Sequence, residues 1–200
     1  WNSAGKLLRS LRGHQNSILC LGKLNDNTFV SGSRDRQIIV WKNFEIVRRI
    51  SAHQATVLCL CGLGSETVAS GGADNHIHII RNDGTILKTL TGHHNWVWKI
   101  VKLDEGVIAS CSEDGSIKIW DLKTGNQLGM FEEKDPVIAL CWNNKTRQLL
   151  SGDLNGFICI RTLSDDYSER QVRTFPAHNG IIRSLVFIDD GVFQLKKTQN

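Results

Sequence analysis

An all-β fold of repeated four-stranded antiparallel units is what this sequence predicts, and three observations predict it. The segment Ser31 to Trp41, SGSRDRQIIVW, returns as SGGADNHIHII (Ser70 to Ile80), as SCSEDGSIKIW (Ser110 to Trp120) and, more weakly, as SGDLNGFICIR (Ser151 to Arg161). The leading serines step by 39, 40 and 41 residues, Asp35, Asp74, Asp114 and Asn155 step identically, and His14, His53 and His93 each precede their Asp by 21. Within each period the apolar stretches are short, rich in Val and Ile, and bounded by Gly, Asn or Asp, which is the pattern of strands and turns.

The units follow in order. Residues 1–12 read as the end of a preceding unit, because Trp1 stands 40 before Trp41 and leads through a Gly-Lys turn into the apolar Leu7 to Leu11. Four complete units are expected at 13–50, 51–91, 92–131 and 132–176. A partial fifth, 177–200, ends after two strands and before any Ser-x-x-x-Asp turn. In the third unit strands are predicted near Val97 to Leu103, Val107 to Ser112, Ser116 to Trp120 and Asn126 to Phe131. The turns between them are Asp104-Glu105-Gly106, Glu113-Asp114-Gly115 and Lys123-Thr124-Gly125. Four strands in forty residues leave no room for helices, so a parallel α/β sheet is excluded.

Composition narrows the class. Of the 200 residues, 40% are hydrophobic and 22% charged, which suits an ordinary globular chain and excludes disorder or a collagen-like repeat. No apolar run approaches the roughly 18 residues of a membrane span, and no charged-then-apolar leader opens the chain, so no membrane association or export is expected. The net charge is +4, too modest to argue nucleic-acid binding, although the first fifty residues hold nine of the 24 basic side chains against three of the 20 acidic ones. Cys20, Cys59, Cys61, Cys111, Cys141 and Cys159 lie inside apolar stretches without C-x-x-C spacing, and read as reduced, buried thiols of a cytoplasmic protein, a nuclear location being compatible.

These features resemble the WD-repeat family of β-propellers. A Gly-His pair (Gly13-His14, Gly92-His93) or an Ala-His pair (Ala52-His53, Ala177-His178) opens every repeat but the fourth. Ser, Asp and a closing Trp follow, and the third copy carries the Trp-Asp dipeptide as Trp120-Asp121. The resemblance covers essentially the whole chain. It implies four-stranded blades arranged radially around a channel, with the four complete blades and two partial ones forming part of a longer, commonly seven-bladed ring. The rival arrangement is a small five-bladed ring whose last blade joins strands from both ends.

A Ser, a His and an Asp at fixed spacing invite a test for a nucleophilic triad. Three near-identical sets, Ser31/His14/Asp35, Ser70/His53/Asp74 and Ser110/His93/Asp114, argue against one catalytic cleft, and Trp41 and Trp120 add an indole N–H that suits a buried hydroxyl rather than chemistry. The resemblance implies a structural polar network running from Trp through Ser and His to Asp. The second copy has Ile80 in place of Trp. The fourth has Glu133 or Lys134 for His, Asn155 for Asp and Arg161 for Trp, so that blade is expected to be held by packing alone.

Other constellations are read as structural. His76 and His78 share one side of a strand, and with His93 and His94 they raise a zinc site, but no convergent third or fourth ligand is spaced to complete it. They read as surface histidines, and no metal is expected. The 18 glycines fall at turns, outside any phosphate-binding motif, and no cofactor is expected. The pairs Asp104-Glu105, Glu132-Glu133, Asp165-Asp166 and Asp189-Asp190 read as solvated turn residues.

Propellers of this family bind mostly proteins, on the narrower face. Carried over by position, that face presents Gln15, Ser17 and Arg34 from the first blade, Gln54, Thr56 and Ala73 from the second, and His94, Trp96 and Glu113 from the third. Pro136 and Leu154 follow from the fourth, then Asn179 and Ile181 from the partial fifth. The expected function is a non-catalytic scaffold for partner proteins or peptides, with Trp96 and Arg34 as the residues most suited to carry affinity. The alternative is a substrate- or phosphopeptide-recognition module of a larger machine such as a ubiquitin ligase or signalling ATPase. An enzyme built on a propeller, a small-molecule substrate and nucleic-acid binding are disfavoured.

Overall fold

The computed structural model describes residues 3–7, 9–189 and 192–195. Four separate four-stranded antiparallel sheets follow one another along the chain, each a simple meander of consecutive strands. The first holds β1 (Ile18–Asn25), β2 (Thr28–Ser33), β3 (Ile38–Lys42) and β4 (Glu45–Ile50). The second holds β5 (Val57–Gly62), β6 (Thr67–Gly72), β7 (Ile77–Arg81) and β8 (Ile86–Leu90). The third is β9 (Val97–Asp104), β10 (Val107–Ser112), β11 (Ser116–Asp121) and β12 (Gln127–Glu132). The fourth is β13 (Val137–Asn143), β14 (Gln148–Asp153), β15 (Phe157–Leu163) and β16 (Glu169–Pro176), after which β17 (Leu185–Asp189) and β18 (Val192–Leu195) pair alone. Among the described residues there is no helix, and no strand precedes Ile18. Trp1 lies outside them, as does Asp190.

The strands are short because each central one is buried on both sides and each turn is tight. β2 and β3 are buried along nearly their whole length, whereas the last strand of each sheet is largely exposed. The turn from second to third strand repeats one backbone feature: Arg36, Asn75, Gly115 and Gly156 all take a left-handed φ, of 69°, 68°, 77° and 91°. Glycine and Asn adopt that conformation readily; Arg36 does so at a cost of roughly 1–2 kcal/mol.

First strands β1, β5, β9, β13 and β17 are neighbours in succession, so the sheets fan around a common axis. Apolar layers between consecutive sheets form the core. Val30, Val40, Val57 and Leu60 meet between the first and second, Ile79, Val97, Ile100 and Trp120 between the second and third, and Ala109, Ile119, Val137 and Leu140 between the third and fourth. Glycines make the approach close: a Cβ on Gly32 would come within 2.6 Å of Val57, on Gly71 within 2.7 Å of Val97, and on Gly152 within 2.5 Å of Ile182. The six cysteines are free, and burial pushes the Cys20 and Cys141 thiols up to about 12.

One face departs from the repeat. Leu60, Ile100 and Leu140 are 7%, 2% and 1% exposed because a preceding sheet covers them, whereas Leu21, at the same repeat position, is 66% exposed. Ile18 likewise stands half exposed where Val57, Val97 and Val137 are sealed.

Candidate functional site

Each of the first three sheets gathers its Ser, His and Asp at one end. His14 Nδ1 lies 2.9 Å from Asp35, its Nε2 lies 2.7 Å from the Ser31 hydroxyl, and Trp41 Nε1 donates to that same hydroxyl at 2.8 Å. The third sheet repeats the chain: His93 to Asp114 at 3.0 Å, His93 to Ser110 at 2.7 Å, Trp120 to Ser110 at 2.8 Å. Since the indole can only donate, the serine donates onward to Nε2, which makes the imidazole Nδ1–H a donor to the carboxylate. In the second sheet His53 bonds Asp74 and Ser70 at 2.9 and 2.8 Å, but Ile80 offers no N–H, and Ser70 instead points at the His78 carbonyl from 3.5 Å.

Backbone and hydroxyl donors that the repeat spacing did not reveal complete each carboxylate. The N–H groups of Gln15, Gln54 and His94 each donate to the Asp at 2.8 Å, and Ser116 donates to Asp114 through both N–H and hydroxyl. Burial would raise the carboxyls of Asp74 and Asp114, but the His53 imidazole with the backbone donors at Asp74, and Ser116, the backbone donors and His93 at Asp114, outweigh it and hold both at about 2. Burial also lowers His93, so a neutral imidazole faces a carboxylate. Ser31, Ser70 and Ser110 are 1%, 0% and 0% exposed, so these three hydroxyls are sealed from solvent.

The fourth sheet corrects the expectation that packing alone holds it. Glu133 takes the place of His and accepts from the Ser151 hydroxyl at 3.1 Å, while Arg161 takes the place of Trp, pairs with Glu133 and reaches Glu169 at 2.9 Å. Two long side chains of opposite charge span the gap that an imidazole and an indole fill elsewhere, and Phe131 lies 5.1 Å beneath the guanidinium.

Two more expectations change. His78 is buried, stacked on His76 with ring centroids 6.1 Å apart and packed edge-on to His53, at a third-strand position that is buried in the other sheets as well, as Ile39, Lys118 and Cys159. Burial lowers it to about 4. His53, Asp74 and His78 present ligand atoms within 4.8 Å of one another, but both His53 nitrogens already serve Asp74 and Ser70, and His78 Nδ1 bonds Thr89 at 2.9 Å. Nor is Asp104 a solvated turn residue: it accepts from Tyr167 at 2.7 Å and Arg147 at 3.0 Å, with the guanidinium held between the Trp142 and Tyr167 rings.

The residues after each His and before each Asp lie together at one end of the sheets. Backbone bonds join Arg34 to Ser17, Ala73 to Thr56, Glu113 to Trp96 and Leu154 to Pro136 at 2.9–3.0 Å. Gln15, Ser17, Arg34, Gln54, His94, Trp96 and Asn179 are exposed, and Thr56, Ala73, Glu113, Pro136, Leu154 and Ile181 half-buried. Trp96 is 45% exposed with its ring edge-to-face on Trp98 at 5.7 Å, and the Trp98 indole donates to Glu113.

Comparison with known proteins agrees with this architecture. A family model described as WD domain, G-beta repeat matches residues 5–42 and 44–81, and one described as TEP-1 C-terminal beta-propeller matches 93–160. Among curated relatives, Protein DOA1 of Saccharomyces cerevisiae is 36% identical over 127 residues, 62% of this chain and 18% of its own length. Autophagy-related protein 16 of Arabidopsis thaliana is 32% identical over 69 residues, 34% of this chain and 14% of its own length. The solved WD40 propeller domain of Doa1 superposes with a TM-score of 0.81 at 28% identity, over 94% of this chain and 63% of that one. A chain of the mitotic checkpoint complex gives the same TM-score at 22% identity, covering 90% and 58%. This chain thus spans under a fifth of those two curated relatives and about three fifths of the solved ones. Proteins of this kind are typically protein-interaction scaffolds. With the repeated His, Ser and Asp bonded within each of three radially packed sheets, the chain belongs to the WD-repeat family of β-propellers.

Proposed function

We propose that this chain is a non-catalytic scaffold that binds partner proteins or peptides through the sheet ends carrying Gln15, Ser17, Arg34, Gln54, Thr56, His94, Trp96 and Glu113. The observation that carries the reading is the division of labour among polar residues. The Ser, His and Asp side chains are spent on one another below the surface, while an exposed indole and an exposed guanidinium, Trp96 and Arg34, stand at the rim, the indole resting edge-on against Trp98. Exposed Trp and Arg are the side chains that most often carry interface affinity. Free, buried thiols fit a reducing compartment, the cytoplasm or nucleus.

The bare Leu21 and Ile18 face supports a second element of the reading: another blade packs there, in a ring larger than the four sheets described, with blades divided near residues 50, 91, 131 and 176. The short share of the relatives' length that this chain matches favours a recognition module of a larger assembly as the alternative use of the same rim.

The test is affinity capture with quantitative mass spectrometry on wild-type protein and on Arg34→Ala combined with Trp96→Ala. Partners depleted about tenfold in the variant, with unchanged thermal unfolding, are expected. Partners retained at wild-type level refute the rim assignment.

A further inference from the structure

We propose that the cleft between the first and second sheets, at the ends away from the His and Asp side chains, binds a small hydroxyl-bearing phosphate monoester of the sugar-phosphate class. The cleft has a volume of about 450 Å³ and is lined by the strands of the first sheet and the turns of the second. Cross-strand register fixes which side chains enter it. Thr28 stands opposite Lys42, and Val40 opposite Arg48, on the face that Val30 and Val40 turn toward the second sheet. Thr28 is 6% exposed, yet its hydroxyl makes no hydrogen bond to any described residue, so a buried polar group there lacks a partner within the fold. Lys42 and Arg48 likewise make no ion pair or side-chain hydrogen bond among the described residues.

The repeat explains why this cleft is open. Between the third and fourth sheets the same space is closed by Trp142, by Tyr167 and by the Arg147–Asp104 pair. At the matching places here, Gly62 stands for Trp142, Glu66 for Arg147 and Asn25 for Asp104, and the turn that carries Tyr167 is the aromatic-free 82–85. Between the second and third sheets Lys88, at the repeat position of Arg48, is taken up by the Lys123 carbonyl at 2.7 Å. Arg48 has no such acceptor.

The lining selects the ligand. Lys and Arg are the side chains that hold phosphate, and two of them in one concave site favour a dianion over a neutral molecule. Thr28, Asn27 and Asn82 offer both donors and acceptors, which suit hydroxyl groups. Ionised Glu66 accepts a hydroxyl and repels a second phosphate. Two cations against one carboxylate therefore match a single phosphate with hydroxyls better than a polyphosphate or a nucleic-acid backbone, which draws on an extended run of cations. The volume lies in the range of small-ligand pockets.

The test is isothermal titration calorimetry with glucose 6-phosphate, ribose 5-phosphate and glycerol 3-phosphate, set against glucose, inorganic phosphate and inositol hexakisphosphate. Expected is one-site binding of at least one ester, about tenfold tighter than glucose or inorganic phosphate. That affinity should fall about tenfold in Lys42→Gln with Arg48→Gln and severalfold in Thr28→Val. It should be unchanged in Arg173→Gln, which alters the Arg48 position of the fourth sheet. Lys42 and Arg48 are exposed, so the double variant folds, and thermal unfolding verifies it. Overturning results are no saturable binding of any ester, equal binding of inorganic phosphate, tighter binding of inositol hexakisphosphate, or an affinity unchanged in the double variant. The rim scaffold is judged separately by its own capture experiment, since neither Arg34 nor Trp96 lines this cleft.

Discussion

Glu133 and Arg161 form, in the fourth sheet, an ion pair that replaces the His93–Ser110–Trp120 chain of the third, with Ser151 bonded to Glu133 at 3.1 Å. Both side chains are largely buried, 17% and 6% exposed. A buried pair of this kind stabilises little against a neutral alternative, because desolvation offsets the Coulombic gain, but losing one member strands a charge.

Single variants Glu133→Ala and Arg161→Ala are therefore expected to lose about 3 kcal/mol each. The double variant should lose clearly less than their sum. Urea unfolding of the four proteins measures the coupling, and strict additivity would show that the pair is not a unit.

Acid should unfold the protein in two stages. His93 and His78 are held below their ordinary 6.5, the latter at about 4, so unfolded chains take up protons before folded ones and stability declines as pH drops from about 6.5 to 4. Asp74 and Asp114, held at about 2 against 3.8, add a further loss of about 2 kcal/mol each as pH falls from near 4 through 2. Urea midpoints measured from pH 7 down to pH 3 should fall throughout; a midpoint that is flat or rising toward acid contradicts the assignment.

The left-handed turn positions separate strain from space. Gly156 has φ +91°, and a Cβ there would stand 2.0 Å from the His178 carbonyl oxygen, so Gly156→Ala should cost well over 1 kcal/mol. Gly64 has open space and an ordinary φ, and its alanine variant should be neutral. Arg36→Gly should gain up to about 1 kcal/mol by relieving the φ of 69°. Thermal unfolding of the three variants checks the order.

The strands and three polar sets were readable in the sequence because they recur: a period near forty with Ser, His and Asp at constant offsets points to one geometry however the intervening residues vary. The strands predicted for the third unit lie within one residue of β9 to β12 at each end. What recurs once is harder to see. Nothing in the order Glu132-Glu133-Lys134 says that Glu133 turns inward, and although Arg161 stands ten residues after Ser151, as Trp41 stands after Ser31, one extra residue separates it from Glu133 and neither residue type belongs to the repeat. The Asp104–Tyr167 bond joins residues 63 apart, and the burial of His78 belongs to its place on the third strand of the sheet, where Ile39, Lys118 and Cys159 are buried too, rather than to any property of the histidine.

The repeated polar sets tie the strands of each sheet together. Urea unfolding of Asp114→Ala tests this most directly, since that carboxylate accepts from His93, from the His94 N–H and twice from Ser116. A loss of about 1–3 kcal/mol is predicted, from donors left buried without an acceptor. Unchanged stability would contradict the account, for it would leave the repeated sets without a structural purpose.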